Sequence, residues 1–321
     1  MPELQNALSW SATRHHTFET CLRRYYYTYY LSWGGWKYDA PQVSRQAYRL
    51  KQMQSSLMLA GSIVHRCIAK ILFSWSRTHR NPSLGQILEF AQHQWDLALK
   101  QSLSGNWSHD PKNVCCLFED LYVEEPDRTR RKEQGWERIR ACLTHFHSSP
   151  TWEKIQRTKP DNWIVTDLNP FQTASLSVPM DDETYLTIPF HGRPDFGYGR
   201  FRDGQPTGRC YVMDWKTGKP RDSDLAQMRF YALFAEQIWG FPCSDISVRL
   251  IYLWPEYEEE ETFFSAEQLV GVRKKVKDSF VRMLDLVADK QSNEAVAIEN
   301  FPQTTQMNLC PSCSFQEICD R

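Results

Sequence analysis

Tyr211-Val212-Met213-Asp214-Trp215-Lys216-Thr217-Gly218 reads as the end of a buried strand that presents two charged side chains and then turns. In a strand, residues i and i+2 point to the same face, about 6.5 Å apart. Asp214 and Lys216 therefore project side by side, and Trp215 projects the opposite way. A carboxylate in that position can hold a hard divalent cation through oxygen. The adjacent ammonium can orient a water and neutralise charge on a phosphoryl oxygen. An Asp–Lys pair at a strand end is also a common feature worth little on its own, so its surroundings decide its meaning.

Upstream, a strand predicted over 185–191 runs into Gly192-Arg193-Pro194-Asp195. Pro194 bends the chain and delivers Asp195 near a strand terminus, beside Asp214 on the neighbouring strand. Two converging carboxylates repel and raise a pKa, and a divalent cation between them relieves that conflict. The ordinary alternative is a turn aspartate bonded to its own backbone. Downstream, Gln227 and Tyr231 are i and i+4 and share one helix face. Both can position a phosphate or a side chain, or simply form a polar helix flank. His65 lies in Gly61-Ser62-Ile63-Val64-His65 on a helix predicted over 57–80, where a lone histidine is more often structural than a ligand.

Short runs rich in Val, Ile, Leu, Thr and aromatics predict strands over 171–179, 185–191, 209–216 and 246–254. Turn residues at Asp181–Asp182, Gly192–Pro194 and Asp203–Gly208 separate the first three into a meander. Uninterrupted or amphipathic stretches predict helices over 12–31, 57–80, 84–103, 132–147, 222–239 and 265–290. Residues 34–56 and 104–113 read as loops, 300–321 as irregular, and the glutamates at 256 and 258–261 as a solvated acidic turn. The fold class is α/β or α+β, a mixed sheet flanked by helices inside a larger helical body. The expected segments are 1–56, 57–160, 161–290 and 291–321.

The chain has 321 residues, 38 Lys and Arg against 39 Asp and Glu, and a net charge of −1. A globally basic protein is excluded, although residues 1–51 carry seven Lys and Arg against three Asp and Glu. With 41% hydrophobic residues, a disordered chain is excluded too. No run of about 18 apolar residues predicts a membrane span, and residues 1–10 do not read as a secretory signal. A cytoplasmic, reducing compartment is expected, in which the ten cysteines are thiols or metal ligands.

Cys310, Cys313 and Cys319 can wrap one metal centre, with Cys21 as the candidate fourth ligand. Zinc is one occupant, although Cys115 and Cys116 are adjacent and supply no second close pair. Cys67, Cys142, Cys210 and Cys243 read as buried thiols. Next to Cys21, Arg23 and Arg24 precede Tyr25, Tyr26 and Tyr27. This is either a packed aromatic stripe with two solvated arginines or a surface that contacts phosphates and stacks bases.

The ordered set His65, Asp195, Asp214–Lys216 and Gln227–Tyr231 resembles the RecB-like branch of the PD-(D/E)XK nuclease superfamily. The resemblance implies a four-stranded mixed sheet flanked by helices, with large helical insertions, and metal-dependent hydrolysis of DNA. Mg²⁺ or Mn²⁺ would be bound by His65, Asp195, Asp214 and the Trp215 carbonyl. Lys216 would position the attacking water, with Gln227 and Tyr231 supporting the site. The one-plus-three cysteines are similar to the iron–sulfur subset of that branch, seen in Cas4-like nucleases and AddB-type helicase–nucleases. There, four thiolates hold a [4Fe–4S] cluster joining the N-terminal helix to the C-terminal tail. The expected activity is an exonuclease on single-stranded DNA ends, in repair, CRISPR adaptation or phage defence. A non-catalytic DNA-binding or zinc-site subunit of a helicase–nuclease is the alternative. No P-loop motif occurs, so a helicase or defence protein partner would supply unwinding.

Overall fold

The computed structural model describes residues 5–166, 173–180 and 184–320. In chain order, the helices before the sheet are α1 (Ala12–Thr20), α2 (Leu22–Tyr26), α3 (Gln42–Gln52), α4 (Ser56–Thr78), α5 (Leu84–Leu103), α6 (Phe118–Tyr122), α7 (Asp127–His147) and α8 (Pro150–Gln156). The strands are β1 (Trp163–Thr166), β2 (Thr173–Pro179), β3 (Tyr185–His191), β4 (Phe196–Arg202), β5 (Gln205–Lys216), β6 (Ile246–Tyr252) and β7 (Glu258–Phe263). α9 (Asp222–Trp239) joins β5 to β6, and α10 (Ala266–Leu284) follows β7. A small hairpin, β8 (Val287–Asp289) with β9 (Glu294–Ala295), leads into a tail of short 3₁₀ turns.

The main sheet has the order β1-β4-β5-β6-β7, five strands rather than the four expected. β5 and β6 are parallel and the other pairs antiparallel. A parallel pair needs a long crossover, which α9 provides. The expected meander is corrected. β2 and β3 form a separate hairpin, and β4 is the neighbour of β5 in the main sheet. β4 escapes a pattern search because Phe196-Gly197-Tyr198-Gly199-Arg200-Phe201-Arg202 carries glycines and arginines instead of an apolar run. It turns into β5 through Asp203 and Gly204, both with positive φ, the backbone of a two-residue hairpin. Part of the expected strand 171–179, and the expected turn at Asp181–Asp182, lie outside the described residues.

Two cores flank the sheet. Met213 and Trp215 of β5 join Phe196, Ile251 and Leu253 against α4, α5 and α7. Cys210 and Val212, one residue out of phase, join Val248, Leu250 and Tyr252 against α9, α10 and the β2–β3 hairpin. The period of two along β5 thus sorts its side chains between two helical layers. A third cluster unites Tyr27, Leu50, Met53, Cys116, Phe118 and Phe315 from the N-terminal helices, the segment before α6 and the tail.

Other corrections have local causes. The expected helix 12–31 breaks at Cys21, whose backbone is extended and whose sulfur caps α2 by accepting from the Arg24 N–H. The expected loop 34–56 contains α3, a polar helix that buries little beyond Ala47 and Leu50. The glutamates at 258–261 belong to β7. Glu259 and Glu261 clamp the buried Arg249 of β6 at 3.1 and 3.2 Å. Burial would raise the Glu259 carboxyl, but hydrogen bonds from Thr151, Lys154 and Tyr257, and then the Arg249 charge, hold it below its usual range. α4 proves long and apolar enough to cross a membrane by length and composition. In the fold, its apolar face is occupied by α5, α7 and the sheet.

Candidate active site

At the C-terminal end of β5 the chain opens into a cavity of about 730 Å³. His65, Asp195, Asp214, Trp215, Lys216, Gln227 and Tyr231 all line it. Asp195 immediately precedes β4 rather than ending β3. The β4–β5 register, Phe196 opposite Met213, sets it beside Asp214. α4 brings in His65, and Gly61 makes its approach possible. A Cβ there would stand 3.0 Å from Thr217 Oγ1 in the turn after β5.

Each side chain is held. Asp195 is 6% exposed. One of its oxygens lies 2.9 Å from His65 Nδ1, and the other accepts the Trp215 backbone N–H at 2.7 Å. Asp214, 4% exposed, pairs with Lys216 at 2.7 Å. Burial and the Asp195 charge push its carboxyl up to about 7, against the pull of Lys216 and His65. Burial alone would lower the Lys216 ammonium, but the Asp214, Asp224 and Asp195 carboxylates outweigh it and raise the net value. Lys216 also donates to Gln227 Oε1 at 2.6 Å. Gln227 donates to the Tyr231 hydroxyl at 2.7 Å, and Tyr231 donates to the Arg193 carbonyl at 2.9 Å. This relay fixes the carboxamide oxygen toward Lys216.

Two carboxylates buried together, one of them driven up by the other, form a donor set suited to a hard divalent cation. His65 adds a nitrogen. As they stand, Asp195 is turned to His65 and the Trp215 N–H, and Asp214 to Lys216. Among the described residues no three His, Cys, Asp or Glu side chains converge as metal ligands do.

Asp224 is a site residue that the sequence reading missed. It lies 3.7 Å from Lys216, accepts from the Tyr252 hydroxyl and the Arg221 N–H, and is buried. Its only sequence signal was its place in the first turn of α9, where an acid is expected for helix-dipole reasons alone. Arg138, Lys219 and Arg221 also line the cavity, an excess of positive charge around the carboxylates.

The four expected cluster cysteines also meet. Cys21, Cys310, Cys313 and Cys319 line one cavity of about 360 Å³, although almost the whole chain separates Cys21 from the rest. Cys21 sulfur accepts the Arg24 N–H at 3.4 Å, and Cys319 sulfur accepts from Gln303 at 3.5 Å. Burial raises the Cys313 and Cys319 thiols, and neighbouring cysteines add to it. The four thiols share this space, two with N–H donors on sulfur, but among the described residues they do not converge as metal ligands do. Cys67, Cys142 and Cys210 are buried as expected, whereas Cys243 is only half-buried.

Arg23 and Arg24 line the cysteine cavity rather than the carboxylate one. Arg23 donates to the Phe301 carbonyl at 2.8 Å and pins the tail, while Arg24 stays exposed. Tyr25, Tyr27 and Tyr30 are buried in the cores, which favours the packed aromatic stripe over the stacking surface.

The family model described as "PD-(D/E)XK nuclease superfamily" matches residues 9–320. No curated protein matches the chain.

Proposed function

Because the chain belongs to the PD-(D/E)XK nuclease superfamily, we propose that it is a metal-dependent deoxyribonuclease acting as an exonuclease on single-stranded DNA ends. The observation that carries this reading is the meeting of all seven motif residues around one cavity, with two buried carboxylates beside a lysine.

His65, Asp195, Asp214 and the Trp215 carbonyl would hold Mg²⁺ or Mn²⁺. Such an ion supplies Lewis-acid stabilisation of charge on the scissile phosphate. The remaining work falls to this chain. Asp195, locked by the Trp215 N–H, fixes the relative position of β4 and β5. Lys216 keeps its charge beside Asp214 and presents N–H donors to the attacking water and to a phosphoryl oxygen. Gln227 and Tyr231 hold that ammonium on its bearing. Arg138, Lys219 and Arg221 would attract the phosphate backbone.

Cys21, Cys310, Cys313 and Cys319 would hold a [4Fe–4S] cluster, as in Cas4-like relatives, clasping the N-terminal helices to the tail. A helicase or defence protein partner would supply unwinding.

The test is a digestion time course on 5′- and 3′-labelled single-stranded, duplex and circular DNA, with Mg²⁺, Mn²⁺ or EDTA. Metal-dependent shortening of linear single strands, with circles intact, is expected. Cleavage that persists in EDTA overturns the metal dependence, and none with either metal overturns the nuclease assignment. Cut circles overturn the exonuclease mode alone.

A further inference from the structure

We propose that the groove leaving the Asp195 carboxylate along the exposed stripe of α4 is a track for single-stranded DNA. In it, Arg66, Lys70 and Arg193 contact phosphates, and Phe73 and Phe90 stack a base. The proposal deepens the nuclease reading and rests on it.

A cavity of about 580 Å³ adjoins the catalytic one and shares Ser62, His65, Arg193 and Asp195 with it. Whatever occupies this groove therefore reaches the carboxylates directly. Arg66, Lys70 and Phe73 follow His65 at helical spacing on the face of α4 that the core does not use. Ile63, Val64, Cys67, Ile68, Ile71 and Leu72 are the buried face. From His65 to Phe73 the helix rises about 12 Å, room for a short stretch of oligonucleotide.

The charges along the groove are mainly positive. Among the described residues, Asp195 is its sole carboxylate lining, against three cations. Past Lys70 and Phe90 it continues into a depression of about 410 Å³ that reaches Arg80 and has no acidic lining residue. In a chain of net charge −1, such a stripe is a local concentration. Arg66 is steadied by Gln94 of α5 at 2.7 Å, a neutral partner that leaves the guanidinium charge available.

The rings complete the pattern. Phe73 is 50% exposed, with the Arg77 guanidinium 5.6 Å from its ring centroid. Lys70 Nζ lies 3.7 Å from the Phe90 ring centroid, so a cation already occupies a ring face that a base could take. Rings that already carry cations on their faces offer surfaces on which the free bases of a single strand can stack, whereas the bases of a duplex are already paired.

The experiment measures binding of a fluorescent single-stranded oligonucleotide, and of its duplex, by anisotropy in EDTA across a salt series. Cleavage by the wild type with Mg²⁺ is followed in parallel. Arg66→Gln with Lys70→Gln should reduce the slope of log affinity against log salt by about 1.4, since each single-strand phosphate contact contributes about 0.7. Phe73→Ala should weaken single-strand binding about tenfold and leave duplex binding within twofold, while Phe73→Tyr should retain affinity. All three positions are exposed, so folding is not at stake. Unchanged slope and affinity in a protein whose wild type cleaves would remove the track and leave the nuclease reading. Loss of affinity in the variants of a protein that cuts no DNA would support the track and remove the nuclease reading. A wild type that does not bind single-stranded DNA overturns the track.

Discussion

The Lys216 ammonium meets Asp214, Asp224 and Gln227 at one nitrogen, a concentration of charge that folding alone does not require. Asp214 bears the cost. Its carboxyl is buried beside Asp195 and displaced up to about 7. Asp214→Asn should therefore abolish Mg²⁺-dependent cleavage and hold or raise the melting temperature of the metal-free protein. A variant that melts lower and still cuts would contradict this. Gln227→Ala acts through Lys216 and should lower kcat about tenfold, with Gln227→Glu as the partial rescue; equal loss in both would reduce Gln227 to packing. The residues of the expected site were legible because strand period two and helix period four place Asp214 beside Lys216 and Gln227 beside Tyr231. Asp224 was not legible, because an acid at a helix start already has a local reason to be there. Nor could spacing tell that Tyr25, Tyr27 and Tyr30 face inward, since a buried ring and a stacking ring have the same periodicity.

Among the elements, the sequence pattern revealed β3, α5 and α9 with their observed limits and placed α4 and most of β5. Strands whose side chains answer to charge or close packing, such as β4 and β7, were hidden. Arg249 shows why. It is buried on β6 and paired with Glu259 and Glu261 of β7, so a run of glutamates becomes a strand through a partner on the preceding strand. Arg249→Ala should cost about 3 kcal/mol in urea denaturation, because it strands partly buried carboxylates; a loss below about 1 kcal/mol would show the clamp to be incidental. The α1–α10 contact carries a pH dependence. His15 stacks on Trp10 with ring centroids 5.7 Å apart. Burial, opposed by Glu19 and assisted by Lys275, Arg282 and His16, lowers its pKa below 6.5. Its folded pKa lies below its unfolded one, so its stabilisation is present above about pH 6.5 and is lost as pH falls through the folded value. His15→Phe should retain the stacking and flatten that loss in melts between pH 7 and pH 5. Parallel curves for both proteins would exclude His15 as the source.

At the scale of the whole molecule, the two ends of the described chain are fastened together. Arg23 holds the Phe301 carbonyl, Tyr27 donates to the Ile318 carbonyl at 2.7 Å, and Phe315 is buried against Tyr27 and Phe118. Four cysteines meet at this clasp. Protein purified without oxygen should be brown and hold iron, and Cys21→Ser should bleach it and expose residues 302–320 to protease. Colourless protein with one equivalent of zinc would give the site to zinc. The spacing of Cys310, Cys313 and Cys319 predicted that these three would lie together, whereas the kink that brings Cys21 to the same cavity, an extended residue between two helices, leaves no pattern in composition. The acidic strand β7 has a consequence of another kind. Among the described residues it pairs only with β6, so its outer side is an open row of backbone donors and acceptors, the template on which sheets of separate molecules join. Glu258 and Glu260, exposed along it, keep copies apart by repulsion at neutral pH. Glu258→Gln with Glu260→Gln removes that guard, and this variant should associate edge to edge and scatter light where Glu258→Lys with Glu260→Lys stays monomeric.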